Sequence, residues 1–218
     1  MHAADTPAVA TPLLHLRLAL LRATLALVRR ATALLAPLDE LLVRFPAVQP
    51  VLDTAAALGL EGRTLDEGLA LLQGRLWPEH GPAWPLRRLR DALDLGPDDI
   101  DLFLWCALAD EDPSLAPLLD ALGGHDGRPT RGTLDSAEGR AVEALLAGGF
   151  LLEAPEGRWR TLAVPPPVWL AAQGRGAGHT PIGQLQPWEA LILPPDLAPP
   201  AAAQPVCWAL RGVAGSGR

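Results

Sequence analysis

Leucine and alanine dominate the first third of the chain, and their spacing reads as helix. "PLLHLRLALLRATLALVRRATALLAPL", residues 12–38, is the longest apolar stretch, interrupted by His15, Arg17, Arg22, Arg29 and Arg30. On a helical wheel His15, Arg22, Arg29 and Arg30 share one side, with Arg17 opposite. The spacing predicts an amphipathic helix over 13–35, packed on the rest of the domain or on a partner. A membrane span needs about 20 consecutive, mostly apolar residues. A signal peptide carries its charges ahead of its apolar run rather than through it. Neither describes this stretch, and a cytoplasmic protein without a membrane span is expected. Shorter helices follow at 38–45, between Pro37 and Pro46, and at 48–58, ending at Gly59. Thr64 with Glu67 forms a capping-box signature ahead of Leu65, Leu69, Leu72 and Leu76 at helical spacing.

"WPEHGPAWP", residues 77–85, reads as a linker. Beyond it, "PLRRLRDALDL" places Leu86, Leu89 and Leu93 on one helical face. Pro97, Asp98 and Asp99 open the next helix, their carboxylates suited to its positive end. Ile100 to Leu108 is apolar almost all round, which predicts the centre of the core. "PSLAPLLDALGG" is a short helix stopped by Gly123 and Gly124. Thr130 is positioned to cap one short helix and Ser136 the next, which runs to about Leu146 with Val142, Leu145 and Leu146 inward. "FLLEA" and "WRTLAV" are strands joined by "PEGR", a hairpin, and "PPVWLAAQG" returns to helix. Helices followed directly by a hairpin are the order of a winged-helix domain. A Pro/Gly/Ala-rich stretch then leads to the strand-like "VCWAL".

The divisions expected are a tail (1–12), a helical region (13–76), a linker (77–85), a winged-helix-like domain (86–173), a second linker (174–205) and a final segment (206–218). The fold class expected is mainly α with a small β-hairpin.

Charge narrows the function. The 218 residues carry net −7. Residues 1–46 hold five arginines (17, 22, 29, 30, 44) against Asp5, Asp39 and Glu40, net +2, so the remainder is at −9. An acidic body argues against nucleic-acid binding. All 18 basic residues are arginine, a bias that fits a G+C-rich bacterial gene. Arg128, Arg131, Arg158 and Arg160 lie where a winged helix would meet DNA phosphates. The candidate recognition helix nevertheless carries Glu138, Arg140 and Glu143, without net positive charge, which favours protein contact. Cys106 and Cys207 each sit in apolar runs, as buried thiols do. His2, His15, His80, His125 and His179 show no metal-ligand spacing. "ADEDP" (Asp110, Glu111, Asp112) is expected to supply a helix cap from Asp112 or Ser114 rather than a metal site. The seven tryptophans read as core or interface residues; Trp77 and Trp84 are candidate partner anchors, with local packing the expectation. No Ser/His/Asp or Cys/His arrangement emerges.

The last residues carry one nucleotide-binding pattern. Gly212, Val213, Ala214, Gly215, Ser216, Gly217 and Arg218 follow G-x-x-x-x-G-K up to the lysine, which is arginine here. In such loops successive backbone N–H groups wrap phosphates, and the preceding strand is buried.

Taken in order, "PLRRLRDALDLGPDDIDLFLWCALADEDPSLAPLL", "RPT", a helix, "GGFLL", a hairpin, "AVPPPVWLAAQG", "WEALILP" and "ALRGVAGSGR" resemble a bacterial AAA+ group. Its members have an N-terminal winged-helix domain and include ATPases encoded with contractile injection systems. The likeness covers about residues 85–218; residues 1–84 resemble only a variable helical leader. The resemblance implies an N-terminal regulatory and protein-interaction segment, followed by the first strand and P-loop of an incomplete α/β ATPase module. It implies ATP and magnesium as cofactors of a full-length, homo-hexameric, protein-remodelling parent, with a partial nucleotide site at 212–218. It implies no hydrolysis by these 218 residues, which include no hydroxyl after the loop for magnesium and no acidic Walker B strand. Arg218 is bulkier and planar and does not simply replace lysine. The alternative is a stand-alone winged-helix transcriptional regulator that binds DNA.

Overall fold

The computed structural model describes residues 11–133, 139–156 and 159–175. Ser136, Glu138, Arg158, Cys207, Trp188, Trp208, the "WEALILP" and "VCWAL" segments and Gly212–Arg218 lie outside the described residues.

The described chain is mainly helical, with one small antiparallel sheet. Helix α1 (Pro12–Leu34) starts at Thr11, whose hydroxyl accepts from Leu14 N at 3.1 Å. Helices α2 (Leu38–Arg44), α3 (Val48–Ala55) and α4 (Leu65–Leu76) follow. The expected helix over 48–58 instead stops at Ala55 and widens into a π-type turn over Ala56–Leu60. The cause is Gly59, at φ 84°, where the chain leaves helical geometry. The capping box of α4 forms as expected: Glu67 N donates to the Thr64 hydroxyl at 3.2 Å, and Thr64 N to the Glu67 carboxylate at 2.9 Å.

Helix α5 (Pro85–Leu93) ends on Asp94, and α6 (Pro97–Glu111) begins where Gly96 N donates to Asp99 at 2.7 Å. Residues 100–108 of α6 are buried all round, as its apolar sequence requires. "PSLAPLLDALGG" divides into a tight turn over Pro113–Leu115 and α7 (Ala116–Ala121). Helix α8 (Gly139–Ala147) precedes the strands β1 (Leu152–Glu156) and β2 (Trp159–Ala163), and α9 is Pro166–Ala172.

The strands pair antiparallel, Leu152 opposite Ala163 and Ala154 opposite Thr161. β1 begins two residues later than the sequence suggested, because Phe150 N and Leu151 N bond back to Leu145 O (2.8 and 3.2 Å) and close the end of α8. Thr130 was expected to cap a helix. It also lies beside β2, bridging Thr161, with Leu162 N donating to Pro129 O at 2.8 Å. Its buried hydroxyl donates to Gly123 O at 3.1 Å, and a single 3-10 turn over Arg131–Thr133 begins at the next residue, so Thr130 stands both at the start of a short helix and beside the sheet.

One hydrophobic core runs through all of this. Helix α1 packs on both α4 and α6, and the same buried cluster takes in Leu118 and Leu119 of α7, Leu145 of α8 and Leu162 of β2. Residues of the 13–76 region and of the 86–173 region therefore share a single interior.

Candidate interaction surface

The hairpin and α8 bring together the charged residues that the sequence placed on a winged-helix face. Arg131 lies between them. Its Nη1 donates to Glu143 of α8 at 2.6 Å and its Nε faces Glu153 of β1 at 2.8 Å. Arg160 of β2 reaches the other oxygen of Glu153 at 3.1 Å. Cross-strand position explains the second contact: residues 153 and 160 lie diagonally across the ladder, within reach of a long side chain. Arg128 is held elsewhere, by two bonds to Asp110 at the end of α6 (2.6 and 3.3 Å).

Such exposed pairs add little stability, typically about 0–1 kcal/mol each. Their effect here is on the surface field. Three of the four arginines that could have met phosphates are each set against a carboxylate of this chain. A phosphate approaching Arg131 or Arg160 also approaches Glu143 and Glu153. The face is a mosaic of both signs. Arg140 lies exposed on α8.

The acidic turn is fully employed. Asp110 binds Arg128, and Glu111 accepts from Trp169 Nε1 at 2.5 Å. Asp112 accepts from the Ser114 amide at 3.2 Å and from its hydroxyl, the cap the sequence suggested. Among the described residues no cluster of three or more His, Cys, Asp or Glu could hold a metal ion. Cys106 is buried in α6, and desolvation pushes its thiol up to about 12, far from nucleophilic use.

Two of the sequence-flagged tryptophans have structural roles. The Trp105 indole donates to Ala23 O at 2.7 Å and carries the Arg30 guanidinium above it at 5.8 Å. Trp77 is packed between the edge-on ring of His15 at 5.1 Å and the Arg90 guanidinium at 5.0 Å. His15 is itself buried, bonded through Nε2 to Leu76 O at 3.1 Å; loss of solvation lowers its pKa and keeps the imidazole neutral.

The polar stripe of α1 is where sequence reasoning fell short. Arg22 is not on a solvated face but inside, bonded to Asp101 of α6, to Asp98 at 2.9 Å and to Pro97 O at 3.1 Å. Burial pushes the Asp101 carboxyl up to about 7, against the opposing pull of Arg22. The one available signal was a single carboxylate between Ile100 and Leu102, within an otherwise apolar run.

The residues Gly212–Arg218 lie outside the described residues, so the structure brings nothing to that site. No helix among the described residues is long and apolar enough to cross a membrane. The chain matches no protein-family model, no curated protein and no solved structure.

Proposed function

We propose that this chain is an N-terminal regulatory, protein-interaction segment of a protein-remodelling AAA+ ATPase, acting through a winged-helix-like domain over residues 86–173, built on α5–α9 and the β1–β2 hairpin. The observation that carries the protein-contact reading is Arg131 set between Glu143 and Glu153. A nucleic-acid surface presents cations to a polyanion; this one interposes carboxylates, which repel phosphate at close range. A mosaic of both signs suits a protein partner, where charge pattern sets register and partner choice. The nucleotide half of the reading rests on the resemblance of Gly212–Arg218 to a P-loop. On that reading ATP and magnesium belong to a cytoplasmic, homo-hexameric parent, and hydrolysis is not a property of these residues.

The test places a photo-crosslinking side chain at position 140 or 160 in the native host, with duplex-DNA titration of the purified chain beside it. A discrete protein adduct at both positions is expected, with no DNA adduct. Tight DNA binding that weakens steeply with salt would overturn the proposal in favour of the transcriptional regulator.

A further inference from the structure

A separate groove of about 380 Å³ lies where the first turns of α1 meet the 77–84 loop and the start of α5. It shares no residue with the α8–hairpin face. Its walls are apolar and stiff: Pro78, Pro82 and Trp84 line it, and two of these cannot change backbone conformation freely.

The loop forming one wall is fixed from beneath. Arg87 donates to Pro78 O at 2.7 Å and to Glu79 O at 2.9 Å. Gly81 sits so close that an added Cβ would come within 2.6 Å of Pro78 and 2.7 Å of the Arg87 guanidinium. The wall is therefore built rather than a chance fold of a loose segment.

The rim has a sign. Arg75 and Arg87 line the groove with Glu79, and Arg87 Nε also faces Asp91 at 3.8 Å, which leaves Arg75 as the arginine without a carboxylate among its bonds, in a chain whose net charge is −7. Arg75 spends one bond on Leu58 O at 3.1 Å. A guanidinium carries five N–H groups, so Arg75 retains donors beyond its backbone bond. His15, also in the lining, is neutral and bonded inward, so it contributes no charge.

A groove this small favours an occupant that arrives already extended, because little ordering then opposes binding. Proline-containing segments do so, and they dock on aromatic and proline-lined walls. We propose that this groove is a docking site for an extended, proline-containing, acidic segment of a protein partner. The apolar walls take the prolines, and Arg75 takes a carboxylate as a charge-assisted hydrogen bond.

The experiment is fluorescence anisotropy of the whole chain with a fluorescein-labelled PPDLPPEP peptide, and with PPKLPPKP as its charge-reversed counterpart. Saturable binding of the acidic peptide is expected, about tenfold weaker at high salt and about tenfold weaker in Arg75→Glu. His80→Asp, at an exposed position, should weaken binding in the same direction and guards against a folding defect in the first variant; circular dichroism checks both. No saturation of the acidic peptide at millimolar concentration overturns the proposal. So does equal binding of the lysine peptide, or unchanged binding in both variants.

Discussion

Arg22 of α1 and Asp101 of α6 stand 79 positions apart in sequence, yet their side chains are each 4% exposed and bonded to one another inside the core. The contact ties the N-terminal helix to the central one. Removing one partner of a buried ion pair strands the other, which typically costs about 3–5 kcal/mol. Arg22→Met should lower unfolding stability by that order when measured in urea at pH 8, where Asp101 is ionised in the wild type and in the variant must stay charged without a partner or take up a proton. The double variant Arg22→Met/Asp101→Leu should recover most of the loss, since an apolar pair of similar size removes the stranded charge.

The same carboxyl gives the protein a pH signature. Burial raises Asp101 to about 7 from its ordinary 3.8, so the folded state holds the proton more tightly than the unfolded chain. Its contribution to stability is complete below the unfolded pKa and is lost as pH rises through about 7. Between those limits the wild-type chain should lose stability relative to Asp101→Asn. Denaturation midpoints collected across that range, with parallel curves for the two proteins, would refute the assignment.

Gly127 is irreplaceable for two reasons at once. Its φ is +73°, and an added Cβ would lie 2.5 Å from the Ala116 methyl. Left-handed strain and overpacking together predict a loss of about 2–4 kcal/mol for Gly127→Ala, read as a lower urea midpoint with an unchanged m-value. Gly62→Ala, also at positive φ but with nothing within 4 Å, should cost less.

If carboxylates are what keep the α8–hairpin face from phosphate, removing them should unmask it. Glu143→Gln/Glu153→Gln releases Arg131 and Arg160 from their acidic partners. The double variant should gain about tenfold in low-salt affinity for duplex DNA over the wild type, with a steeper salt dependence. Equal affinities would mean the arginines were never restrained.

Much of the fold was legible because its cues are local. The α4 capping box, the run that buries 100–108 in α6, the two-stranded hairpin after α8 and the Asp112 cap each depend on neighbours within a few positions. The contacts that stayed hidden are non-local. The bridge from Thr130 to Thr161 needs a partner 31 positions away, and the buried pairing of Arg22 needs one 79 positions away. Helical periodicity assigns an arginine to the polar side by default; only a facing carboxylate on another helix can bring it inside.

The candidate interaction surface divides the same way. Residue types and hairpin order in the sequence determined where arginines could gather and that the body is acidic. Which carboxylate each arginine meets was decided by the packing of α8, the hairpin and the end of α6, because Arg131 and Arg160 converge on Glu153 only once the strands pair. The groove beneath the 77–84 loop is likewise tertiary: its proline and tryptophan walls are written in one short stretch, but α1, α4 and α5 must come together to set charge beside them. Sequence periodicity determines which faces must be buried; the pairing of charges at close range waits on the fold, since electrostatic contacts act through space between residues that the chain itself holds apart.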